Sequence, residues 1–158
     1  MSNKENFLDR TDRAILDCLQ KNSRLTLSEI SELVSLSPTP CWRRIKRLEE
    51  DGVIEGYHAR LNRAKLGFTV TVFVSVMLEH HSSKTSQEFE NAILEIDEVV
   101  SCYNISGRDD FFLVMVAKGI DEYSKVLLDK IRSIANVKEI HSSFVLRASK
   151  ESTSLPVF

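Results

Sequence analysis

The stretch that decides the fold is SLSPTPCWRRIKRLEEDGVI, Ser35 to Ile54. Pro38 and Pro40 stand directly before four cations in five positions: Arg43, Arg44, Lys46 and Arg47. Three acids and Gly52 close the run. Proline breaks a helix from inside but is tolerated in its first turn, where backbone N–H groups have no intrahelical acceptor. Ser37 therefore reads as the N-cap, Pro38 as the first helical residue and Pro40 as part of the same turn. From that start Cys41, Ile45 and Leu48 share one face. At about 100° per residue, Arg43, Lys46 and Arg47 fall opposite and Arg44 on the flank. Gly52 supplies the stop. Ser37 to Arg47 holds four cations and no acid, so positive charge is confined to the front half of the helix.

Two more helices are expected upstream. Asp9 caps the first, with Asp12 at its third position, and Ile15, Cys18 and Leu19 recur at helical spacing. In LTLSEI, Thr26 and Glu29 make a capping box, and Leu25 and Ile30 a hydrophobic staple. This second helix is short and leads through Ser35-Leu36-Ser37, a three-residue turn, into the third. Downstream, VIEGYHARLN reads as extended, a candidate wing, and RAKLG as a short connector.

From Thr69 the pattern changes. TVTVFVSVML is rich in β-branched residues and predicts a central strand. HHSSKTS reads as a loop, and Phe89, Ala92, Ile93 and Ile96 give a helical stripe. VVSCYNIS and FFLVMVA predict strands around a GRDD turn. Tyr123, Val126, Leu127, Ile131 and Ile134 form a second stripe, and VKEIHSSFVL a last strand with Ile140, Ser142, Phe144 and Leu146 on one face. The order β-α-β-β-α-β is ferredoxin-like. The expected fold class is α+β, with a winged helix-turn-helix at 1–62, a linker at 63–68 and a ferredoxin-like domain at 69–158.

Bulk properties narrow the function classes. The 158 residues are 42% hydrophobic and 28% charged, as in soluble globular proteins. No apolar run has the length of a membrane span, and MSNKENFLDR lacks a signal-peptide core; a cytoplasmic location is expected. Cys18, Cys41 and Cys102 are odd in number and far apart, against a disulfide framework or zinc site. The net charge of -2 marks a local basic patch, not a basic protein.

Two capped short helices joined by a tight turn, the second basic on one side, resemble a helix-turn-helix. Ser37, Thr39 and Arg43, with Arg47 a turn further on, are placed to reach base edges; the arginine fork suits guanine O6 and N7. Pro40 lies in the same turn. Arg44 and Lys46 suit phosphates, as do Thr26 and Ser28 at the start of the second helix. A merely solvated basic face has the same composition. Trp42 sits at the border of the buried face, where packing is expected.

LDRTDRAILDCLQKNSRLTLSEISELVSLSPTPCWRRIKRLEEDGVIEGYHARLN resembles the N-terminal region of the leucine-responsive regulatory protein/AsnC (Lrp/AsnC) family, and SPTPCWRRIKRLEEDGVI its recognition-helix signature. The resemblance continues through the βαββαβ half. It implies a transcriptional regulator of amino-acid metabolism that binds double-stranded promoter DNA and responds to an amino-acid effector, with no other cofactor or metal. It also implies a homodimer that assembles further, commonly to an octamer. HHSS, SSF and TSLP are similar to the branch that includes the bacterial cysteine-detoxification regulator. By the same resemblance, the SGRDDFF turn is the effector motif: Ser106, Gly107, Arg108, Asp109 and Asp110, with Gly107 allowing the tight turn and Asp110 facing an ammonium group. Arg108 departs from the acid usual there. Ser142 and Ser143 are further candidates for the same pocket. An ordinary hairpin turn would show the same residues.

Two other readings remain open at the level of sequence. The two-domain plan also resembles that of relatives that are siroheme decarboxylases, and for such an enzyme His58, His80, His81 or His141 are the candidate groups. An architectural protein binding DNA with little sequence preference is the other.

Overall fold

In the computed structural model, which describes residues 8–80, 82–152 and 154–157, the first helices are α1 (Arg10–Lys21), α2 (Leu27–Leu33) and α3 (Pro38–Glu50). α1 starts in a full capping box: the Asp12 amide donates to Asp9 Oδ1 at 2.8 Å and the Asp9 amide to Asp12 Oδ2 at 3.2 Å. α2 starts the same way, with the Glu29 amide on Thr26 Oγ1 and the Thr26 amide on Glu29 Oε2. Ile15, Leu16, Ile30, Cys41 and Leu48 form the shared core, each large apolar side chain contributing about 1.5–3 kcal/mol on burial. In the turn before α3, Ser35 takes a left-handed conformation at φ 56°, and the Leu36 amide donates to the Ser31 carbonyl at 2.9 Å. α3 stops at Gly52, φ 71°, where Val53 donates back to the Leu48 carbonyl. A side chain at that φ is strained, so glycine is favoured.

The chain forms two compact units, Met1–Ala59 with Lys150–Phe158, and Arg60–Ser149. The tail, expected to belong to the second domain, is counted with the first. Gln20 Nε2 donates to the Leu155 carbonyl at 3.0 Å, and the Leu155 amide to Gln20 Oε1 at 2.6 Å. Val157 packs on the helical core. The expected wing carries no strand: residues 55–62 have no ladder partner among the described residues. Tyr57 instead ties this segment to α3 through its hydroxyl, which donates to Glu49 Oε1 at 3.0 Å.

In the second unit a single-turn helix, Ala64–Leu66, leads into β1 (Val70–Leu78), α4 (Ser83–Leu94), β2 (Val99–Asn104), β3 (Phe111–Ala117), α5 (Ile120–Val126) and β4 (Val137–Phe144). A turn of π-helix, Leu127–Ile131, extends α5. The antiparallel sheet has the order β2-β3-β1-β4, as the βαββαβ plan requires. Val72, Val74, Val76 and Leu78 alternate inward and meet Phe89 and Ile93 of α4 and Tyr123 and Val126 of α5. The stretch expected to be a loop, HHSSKTS, is shorter. Ser82 caps α4 by accepting the Thr85 amide, so the polar residues 83–86 are its first turn, with Ser83 and Lys84 exposed and Thr85 buried. His81 and Thr153, which belong to two of the quoted branch motifs, lie outside the described residues.

Candidate nucleic-acid interface and effector turn

The N-terminus of α3 differs from those of α1 and α2. Ser37 occupies the N-cap position, yet its side chain caps nothing. A capping hydroxyl accepts from the second or third helical amide, and the third residue here is Pro40, which has none. Pro38 removes another donor. The Ser37 hydroxyl is therefore unspent and Thr39 carries the first amide of the helix.

The four cations of α3 differ in their surroundings. Arg44 Nη1 donates to Asp9 Oδ2 at 2.6 Å and to Asp12 Oδ1 at 2.8 Å; Arg47 Nη2 donates to Asp12 Oδ2 at 2.6 Å. Asp12 is 1% exposed. Lys46 pairs with Glu49 at 2.9 Å in an exposed contact, worth at most about 1 kcal/mol. Arg43 is exposed and has no ion-pair partner among the described residues. The Asp9 and Asp12 carboxylates hold the Arg44 guanidinium above its ordinary value. Removing a partner from a buried carboxylate costs about 3–5 kcal/mol; the half-open side of the arginines puts this cluster at the low end. So of the residues expected at DNA, Ser37, Thr39, Pro40 and Arg43 line the open front of α3, while Arg44 and Arg47 are turned toward α1. The Thr26 hydroxyl is held by Glu29, whereas the side chain of Ser28 is exposed. Trp42 is half exposed and helps line an apolar cleft of about 210 Å³ with Leu19, Leu25, Ile30 and Tyr57.

In the second unit the Ile105 amide donates to the Asp110 carbonyl at 2.9 Å, closing the 105–110 turn. Gly107 sits at φ 132°, a conformation open to glycine alone at ordinary cost. Asp110 stitches the turn to β1: its amide donates to the Val76 carbonyl, and its Oδ2 accepts the Leu78 amide at 2.8 Å. Asp109 Oδ1 is buried with no hydrogen-bond partner among the described residues. Arg108 Nη2 lies 3.5 Å from Glu139 Oε2 and 3.4 Å from His141 Nε2; its departure from an acid is met by this β4 pair. A polar cleft of about 360 Å³ lies alongside, lined by Ser82, Ser83, Ser86, Gln87, Glu90, Asn104 and Asp110. Ser106, Gly107, Arg108 and Asp109 do not line it. Ser142 and Ser143 do not either: adjacent on a strand, they face opposite ways. The Ser142 hydroxyl bonds that of Tyr123 on the helix side, and Ser143 stands opposite Phe73.

A family model for the Lrp/AsnC ligand binding domain matches residues 71–155, and one for winged helix-turn-helix DNA-binding matches residues 8–55. The DNA-binding transcriptional activator DecR of Escherichia coli is 34% identical over 151 residues, 96% of this chain and 99% of that protein. The chain belongs to the Lrp/AsnC family. This Lrp/AsnC protein is thus a DNA-binding transcriptional regulator. The leucine-responsive regulatory protein of Escherichia coli is 35% identical over 95% of this chain and 92% of its own, so identity alone does not single out the cysteine-detoxification branch. A Neisseria meningitidis transcriptional regulator solved with L-methionine superposes with a TM-score of 0.90 at 37% identity, covering 94% of this chain and 96% of its own. The relatives are named as regulators, not enzymes. No helix among the described residues of this Lrp/AsnC protein is long and apolar enough to cross a membrane.

Sequence reasoning missed three features of this family member. In the sequence Asp12 reads as a capping residue, although an acid within the stripe Asp12, Ile15, Leu16, Leu19 is a visible signal of a buried ion pair. The serines that open α4 read as loop in the sequence. Gln20 and Leu155 lie 135 positions apart, with no local signal at all.

Proposed function

We propose that the protein reads operator DNA through the front of α3. Ser37, Thr39 and Arg43 meet base edges, with Pro40 packed in the same turn, and Ser28 and Lys46 meet phosphates. The observation that carries this reading is the uncapped start of α3. Two neighbouring helices close their capping boxes, while the one facing solvent with an unpaired arginine keeps its hydroxyl free. A major-groove contact supplies the missing partners. The test is binding to a duplex enriched from a random-sequence pool by the full-length protein. Arg43→Ala should weaken it by about 5- to 150-fold, the worth of one bidentate base contact, and unchanged affinity sinks the assignment. Equal affinity of the wild type for enriched and random duplexes would favour the architectural reading instead.

The regulatory half of the proposal is an amino-acid effector beside the 105–110 turn, in the control of amino-acid metabolism. Support comes from the unpartnered buried oxygen of Asp109, which calls for a donor such as an ammonium group. Because the Asp110 carboxylate is already bonded to β1, the ammonium falls to Asp109. A thermal-shift screen of the amino acids should find one that raises the melting temperature. Asp109→Asn should abolish that shift; a retained shift places the effector elsewhere. Assembly into a homodimer, and from it into an octamer, is the remaining part. The sheet is covered by helices on one face only. The other presents Phe73, 40% exposed, and Tyr103, 54% exposed, with Phe73 and Phe112 ring centroids 5.4 Å apart. Phe73→Lys should yield smaller particles in light scattering.

A further inference from the structure

The apolar stripe of α1 contains one acid, and that acid is buried. Asp12 receives Arg44 on one oxygen and Arg47 on the other, and Arg44 reaches Asp9 as well. Two carboxylates and two guanidinium groups make a cluster with no net charge. Asp12 has no solvent side on which to recover hydration, so an arginine drawn away from it leaves a carboxylate stranded in the core. A DNA phosphate offers no compensation, being negative itself. We infer that Asp12 is a positioning residue for DNA recognition: it holds Arg44 and Arg47 as a neutral anchor between α1 and α3, and leaves Arg43 as the recognition helix's fully uncompensated cation. This rests on the DNA-binding reading and reassigns work within it. Arg47 does not read bases, and neither Arg44 nor Arg47 adds to counterion release. Specificity is concentrated on Ser37, Thr39 and Arg43, in the first turn and a half of α3.

Salt dependence separates this from a purely structural role, because each neutralised phosphate adds about 0.9 to the slope of log K against log salt. The measurement uses the full-length protein, the enriched duplex, a random duplex of equal length and a salt series at low temperature, with melting temperature in parallel. Arg47→Ala should lower the melting temperature and leave the slope unchanged. Asp12→Asn should free the charge of Arg47, while Arg44 keeps Asp9, steepen the slope and raise affinity for the random duplex, so that discrimination falls. Destabilisation alone would weaken binding to both duplexes together. If Arg47→Ala fails to fold, the double variant Asp12→Asn with Arg47→Gln keeps a hydrogen bond without the charges and should hold the wild-type slope. A slope reduced by about 0.9 in Arg47→Ala or in the double variant overturns the proposal, as does an unchanged slope and discrimination in Asp12→Asn. Failure of the DNA-binding reading looks different: wild-type binding would itself show no salt dependence.

Discussion

Two N-caps with the same chemistry are expected to behave differently. Thr26 closes a box with Glu29, so Thr26→Ala should cost about 1 kcal/mol in a urea titration. Ser37 caps nothing, so Ser37→Ala should leave the urea midpoint in place while weakening DNA binding. Stability and affinity are thus separable at a single hydroxyl, and a drop in midpoint for Ser37→Ala would contradict the geometry. The carboxylates of the first unit also set its response to acid. Asp9 is held below the usual carboxylate range by the Asp12 amide first and then by Arg44, and Glu29 by the amide and hydroxyl of Thr26. Their folded values lie under the unfolded ones of about 4. The stabilisation is therefore complete above that pH and drains away as pH falls through the lowered values. Urea midpoints taken from pH 6 down to pH 3 should decline, and Asp9→Asn should flatten the decline.

At the level of elements, the strongest packing lies where α4 meets the sheet. The Phe89 and Phe111 ring centroids are 4.5 Å apart and both side chains are fully buried. Phe89→Ala should cost about 3–5 kcal/mol in the transition of the second unit, read by urea unfolding. This helix and its strands were legible in the sequence because burial there follows strict periods: two for Val72, Val74 and Val76, and three to four for Phe89, Ile93 and Ile96. The start of α3 was legible for a different reason. Pro38 and Pro40 have no amides, and only one helical turn tolerates that. The beginning of α4 was not, because exposed serine and lysine in a first turn look like a loop until Ser82 is seen accepting an amide. The candidate sites were legible as segments but not as roles. Which arginine meets an acid on another helix, and whether Asp109 or Asp110 is bonded, depend on side-chain directions that spacing along α3 or the turn does not encode.

For the molecule as a whole, the division into units does not follow the chain. The two hydrogen bonds between Gln20 and Leu155 fasten a segment beyond the second unit onto the helices of the first. Hydrogen bonds of this kind are worth about 1 kcal/mol each, so Gln20→Ala should lower the stability of the first unit by about 1–2 kcal/mol. The transition of the second unit, followed separately by hydrogen exchange, should stay in place. A fragment ending at residue 62 should be less stable than the same helices in the full chain. The strap also bears on the order of synthesis. Ninety residues, 60–149, separate the two parts of the first unit, and ribosomes add about 5–20 residues per second. About 5–20 seconds therefore pass between the synthesis of the three helices and that of Leu155. A nascent chain acquires the last packed piece of its DNA-binding unit only after the regulatory unit has been translated.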